Sequence, residues 1–182
     1  RVNLTNATGA LVVNGTAGED AINFVPTASG TGSFTAASSG AVVASYPQYT
    51  YAVTGGSTIT LDTLGTFDTV GLTATSGNDV VNAIQSSASA LSYTQNAFTQ
   101  LFIVTNLEKV KLSTLGGDDL IRISVSDTLV ATPAFSLAFD VDAGEPNASD
   151  RLIVDDDGIG DLTIIRQAPD QRSGSVTVGA LN

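Results

Sequence analysis

The chain contains no cysteine, methionine, histidine or tryptophan. Without Cys there are no disulfides, thiolate metal sites, iron–sulfur clusters or cysteine nucleophiles. Without His there is neither Ser-His-Asp chemistry nor His-ligated zinc. Basic residues are scarce as well: 7 Lys and Arg stand against 18 Asp and Glu, a formal net charge of −11. That balance argues against nucleic acid and anionic membrane surfaces as partners, and no apolar run is long enough to insert in a bilayer. A chain that begins at Arg1 and lacks Met reads as a processed product or a piece of a longer polypeptide. What remains for chemistry is mostly aspartate, and cations are its natural counter-partners.

With 182 residues, 42% of them hydrophobic, residues 1–182 are expected to form a single module with a sizeable core. Its composition is that of an all-β protein, rich in Gly, Ser, Thr and β-branched residues. Ile59 and Leu61, Val110 and Leu112, Ile121, Ile123 and Val125, and Phe139 and Val141 are spaced two apart, the period of a strand with one buried face. Two stretches rich in Ala, Ser, Gly and Thr, 28–44 and 86–100, are compatible with edge strands, long loops or a short helix.

Self-similarity organises the rest. Residues 57–72 align without gaps on 108–123, so that Leu61, Thr63, Leu64, Gly65 and Asp68 match Leu112, Thr114, Leu115, Gly116 and Asp119. A third copy at 139–154 keeps the outline with a longer turn. A related unit at 15–24 recurs at 75–84. All five place an Asp before apolar residues at +2 and +4: Asp20, Asp68, Asp79, Asp119 and Asp150. Gly is expected to supply positive φ in these turns, and the Asp either to accept backbone N–H groups of its own turn or to bind a cation. The repeats, at roughly 12–72, 73–125 and 137–165, predict stacked rungs, a parallel β-solenoid of the β-helix or β-roll kind. The alternative is an antiparallel β-sandwich, which also carries short strands at such intervals.

The unit around Gly15, Gly18, Asp20 and Ile22, and the Leu115 to Ile121 stretch with Gly116, Gly117, Asp118 and Asp119, resemble the bacterial repeats-in-toxin (haemolysin-type) motif. The alternation of the two kinds of unit, with Asn106 to Ile123 as the clearest case, is similar to large repetitive surface and adhesin-like proteins of bacteria. The resemblance implies a calcium-stabilised β-roll, with Asp20, Asp79 and Asp119 as turn ligands. The chain departs from that family in having no two units back to back at nine-residue spacing.

Of the 15 Asp residues, 11 lie from Asp118 onward. The densest group, Asp155 to Asp161, resembles the calcium loop of thrombospondin type 3 repeats. That resemblance implies Asp155, Asp157 and Asp161 as ligands, with Asp140, Asp142 and Asp150 in reach across a turn. An exposed Asp-Gly turn between two strands explains the same letters. Tyr46, Tyr49 and Tyr51 form the one aromatic cluster, either a platform for surface polysaccharide or one face of a strand. With no catalytic constellation in view, the expected function is structural rather than enzymatic: a secreted or cell-surface module of a bacterial fibre, layer or adhesin. Its expected partners are copies of itself or neighbouring modules, joined by strand addition. The alternative is a carbohydrate-binding or polysaccharide-degrading β-helix protein.

Overall fold

One-in, one-out alternation sets the strands. In 58–62, 69–73, 109–113 and 120–125 every second side chain is buried, and those buried residues are Ile59, Leu61, Val70, Leu72, Val110, Leu112, Ile121, Ile123 and Val125. A computed structural model of the chain describes residues 2–7, 11–38, 48–53, 58–65, 67–96, 98, 101–126, 137–144, 150–155, 161–167 and 173–180. Sixteen strands and no helix occur among them.

The strands form two sheets. Sheet A runs from edge to edge as β1 (Val2–Ala7), β5 (Gln48–Val53), β4 (Thr31–Ser38), β3 (Asp20–Ala28), β7 (Thr69–Thr73), β11 (Lys109–Ser113), β13 (Ala138–Asp142), β16 (Ser173–Ala180) and β15 (Asp161–Gln167). Sheet B runs as β14 (Arg151–Asp155), β12 (Leu120–Val125), β8 (Val80–Ser87), β9 (Ala90–Gln95), β10 (Leu101–Thr105), β6 (Thr58–Asp62) and β2 (Leu11–Asn14). Parallel ladders join β3, β7, β11 and β13 in sheet A, and β8, β12 and β14 in sheet B, with β2, β6 and β10 forming another.

Antiparallel strands interrupt these ladders. The opaque stretch 28–44 contains β4, which pairs antiparallel with both β3 and β5, and the stretch 86–100 contains β9, which bridges β8 to β10. Both sheets are therefore mixed. A purely parallel stack does not describe them, and neither does a purely antiparallel sandwich.

Register stacks like on like. Ile22, Val70, Val110 and Phe139 form one column of sheet A, and Phe24, Leu72, Leu112 and Val141 the next. In sheet B, Val81 stacks on Ile121 and Leu152, and Ala83 on Ile123 and Val154. Apart from Leu152 at the sheet B edge, the columns of both sheets belong to or pack against one hydrophobic core. Phe24 of sheet A meets Phe102 of sheet B edge-on with ring centroids 5.6 Å apart, so the inner faces interlock through aromatic contact as well as aliphatic burial.

The 51-residue sequence match has an unexpected meaning. It superimposes the passage from β6 to β7, which leaves sheet B for sheet A, on the passage from β11 to β12, which goes the other way. The matching turns therefore do not stack on each other. One turn chemistry serves for crossing in both directions.

Candidate functional site

The repeated acids stand immediately before or at the first residue of their strands, where the chain enters a sheet. There they form two ladders that run from one parallel strand to the next. In the first, the Asp20 amide donates to Asp68 Oδ1 at 2.6 Å, and the Asp68 amide donates to Glu108 Oε2 at 2.7 Å. In the second, the Asp79 amide donates to Asp119 Oδ1 at 2.8 Å, and the Asp119 amide to Asp150 Oδ1 at 3.0 Å. Each amide sits where a strand begins, and the acid at the start of the adjacent parallel strand satisfies it.

The same carboxylates fasten their own turns. Asp20 accepts the Thr16 amide and hydroxyl, and Asp79 Oδ2 accepts the Thr75 amide and hydroxyl, both at 2.9 Å. Asp68 Oδ2 accepts the Gly65 amide at 3.1 Å. Asp79 carries the heaviest load, because its Oδ1 also accepts from Gln95 Nε2 at 3.2 Å and from Asn96 Nδ2. The local reading of these acids as turn caps is correct, and the contact to the turn of the neighbouring strand comes in addition.

Threonine and glycine complete the turn. The Thr63 hydroxyl donates to the Thr105 carbonyl at 3.1 Å, and its repeat partner Thr114 donates to the Ala143 carbonyl at 2.9 Å. In the Thr-Leu-Gly turns it is Leu64 and Leu115, not the glycine expected, that take positive φ, near +61° and +60°. Gly65 is needed for closeness instead: a Cβ there would collide with the Gly18 carbonyl and lie 2.7 Å from Asp68 Oδ2. Gly117, at φ +119°, and Gly144, at φ +77°, do supply the backbone freedom expected of glycine.

Asp119 differs from its equivalents. It is 2% exposed, and its Oδ2 is buried without a hydrogen-bond partner. Burial pushes its carboxyl above the ordinary carboxylate range; the charges of Asp150 and Asp79 act in the same direction, while the Thr114 hydroxyl and the Asp79 amide partly oppose it.

The other acids proposed from the sequence are dispersed. Asp140 forms an ion pair with Lys109, Oδ2 to Nζ 2.6 Å. Asp142 Oδ1 accepts the Gly144 amide at 3.1 Å, and Asp155 ends β14 exposed. Asp157 lies outside the described residues, and Asp161 is placed as the first residue of β15. Among the described residues no group of three or more acidic side chains is arranged to hold a metal ion.

Of the tyrosine cluster, Tyr46 lies outside the described residues, while Tyr49 and Tyr51 face the core. Tyr49 stacks on Phe34 at 4.8 Å and Tyr51 is 3% exposed, so these two rings are core packing and not a sugar platform. An open groove of about 400 Å³ crosses sheet A, floored by Gly71 and walled by Asn23, Thr35, Thr73 and Lys111.

Glu108 is the ladder member that the sequence reading passed over. Its signal was present: Glu108 precedes Val110 and Leu112 at the same +2 and +4 spacing, with Glu in place of Asp.

Fold and site together define an all-β protein of two mixed sheets in which acidic side chains fasten the turns that precede neighbouring parallel strands. Comparison with known proteins gives no matching family model, no matching curated protein and no matching solved structure.

Proposed function

We propose that the chain is a structural module of a bacterial surface fibre, layer or adhesin, secreted or held at the cell surface, which assembles through the open strands of its sheets. One observation carries the reading: the buried acids Asp20, Asp68 and Asp79 spend their oxygens on backbone amides, hydroxyls and amide side chains. Chemistry that needs a free carboxylate is poorly served by such groups, whereas a stack of rungs depends on them. The sheets end in β1, β15, β2 and β14, whose outer sides pair with no other strand among the described residues. In this reading the parallel ladders are rungs of a degenerate solenoid, with β4, β5 and β9 inserted between them.

Calcium enters this proposal through the Asp155, Asp157 and Asp161 stretch, where the acids are densest in the sequence. A second reading, binding of a surface polysaccharide, draws on the groove over Gly71, whose hydroxyl, amide and lysine groups suit a sugar chain. Negative-stain electron microscopy of the protein at rising concentration tests the first reading. Fibres, sheets or strings of particles support it; discrete single particles throughout contradict it. Retention on polysaccharide columns, in the absence of any assembly, would favour the second reading.

A further inference from the structure

We propose that β14 pairs antiparallel with β14 of a second copy and closes a two-fold symmetric dimer. The inference rests on the edge-assembly reading above and names both its partner and its register. β14 is an edge of sheet B, with β12 as its one ladder partner among the described residues. Its sequence, Arg151, Leu152, Ile153, Val154, Asp155, is complementary to itself when reversed.

An antiparallel pair centred on Ile153 sets Arg151 opposite Asp155 of the second copy, and Asp155 opposite Arg151 of the second copy. Those two ion pairs flank an Ile153–Ile153 contact on one face of the sheet, because alternate residues share a face. On the other face Leu152 meets Val154 twice. An in-register parallel pair does the reverse, laying Arg on Arg and Asp on Asp, so the charges select the antiparallel arrangement. A contact in which one patch meets itself under a two-fold axis is the commonest route to a closed dimer.

Burial supports the same edge. Leu152 and Val154 continue the columns of Ile121 and Ile123. Ile121 and Ile123 are each 1% exposed, whereas Leu152, one rung further out, is 37% exposed and Val154 only partly buried. The columns thus end in apolar side chains that pair with no further strand on their outer side among the described residues, and a second β14 supplies one. Arg151 and Asp155 are exposed, so reversing their charges leaves the core alone.

Sedimentation velocity of the whole chain, with thermal unfolding as a check on folding, tests the proposal. The wild-type chain is expected to dimerise with concentration. Arg151→Asp and Asp155→Arg each place like charges opposite one another twice, and each should raise the dissociation constant about tenfold or more. The double reversal, Arg151→Asp with Asp155→Arg, restores complementarity and should restore the dimer. Because the chain has no cysteine, Ile153→Cys should give a disulfide-linked dimer on mild oxidation, and Val12→Cys on the β2 edge should not. Assembly that ignores both single reversals overturns the β14 dimer and leaves the edge-assembly reading standing. A wild-type chain that stays monomeric at every concentration overturns both.

Discussion

The backbone amide of Asp79 donates to the carboxylate of Asp119, 40 residues further along the chain, at 2.8 Å. Asp20 stands in the same relation to Asp68 across 48 residues. Each such contact ties the start of one strand to the start of its parallel neighbour. The acids therefore fix register between parallel strands as well as the shape of their own turns.

Asp79 is the most heavily used of these groups, accepting hydrogen bonds from the Thr75 amide and hydroxyl, Gln95 and Asn96. Asp79→Ala leaves the buried Gln95 amide and the half-buried Thr75 donors unpaired and should cost about 3 kcal/mol or more, read as a lowered denaturant midpoint. Asp142→Ala removes one exposed cap and should cost less than about 0.5 kcal/mol.

Asp119 gives a dependence on pH. Its carboxyl is raised by burial, so the folded chain keeps a proton that the unfolded chain has already released. Its contribution favours folding in acid and is lost as pH rises from the ordinary carboxylate value through the raised one. Asp119→Asn keeps an oxygen for the Asp79 amide and removes the titration. Thermal midpoints measured across that range should fall less steeply with rising pH in Asp119→Asn than in the wild-type chain; equal slopes contradict the assignment.

The two glycines of the first stacked turns should respond differently. Gly65→Ala drives a methyl group into the Gly18 carbonyl and the Asp68 carboxylate, and should destabilise by about 2 kcal/mol or more. At Gly18 the added carbon meets only Thr16 Oγ1 at 3.7 Å, and Gly18→Ala should be nearly neutral, within about 0.5 kcal/mol. Urea unfolding of the two variants makes the comparison.

Calcium should act away from the ladders. With calcium in place of chelator the unfolding midpoint should rise, and Asp157→Asn should abolish that rise while Asp20→Asn leaves it intact. A midpoint that is the same in calcium and chelator removes calcium from the account.

Much of the fold could be read along the chain, because acid, +2 and +4 spacing is local. Ile121 and Ile123, or Val70 and Leu72, announce a strand with one buried face without reference to anything distant. The pairing of strands could not be read in that way. The offsets that maximise sequence identity, 51 and 59 residues, match turns that cross between the sheets in opposite directions, whereas turns in contact are 31, 40 or 48 residues apart. Glu108 escaped notice because a side chain one methylene longer does the work of an aspartate. β9 was hidden by its Ala- and Ser-rich surroundings, although Leu91, Tyr93 and Gln95 alternate and are all buried. Which sheet a strand joins is decided by the turn before it and the column beneath it, and the second of these is non-local.

Amide hydrogen exchange at Asp20, Asp68, Asp79 and Asp119 tests most directly whether these acids are fasteners of a structural stack. The account predicts protection at all four comparable to that of the strand interiors. It also predicts that Asp119→Ala exposes the Asp79 amide while leaving the Asp20 amide slow. Exchange at these positions as fast as in solvent-exposed turns would contradict it.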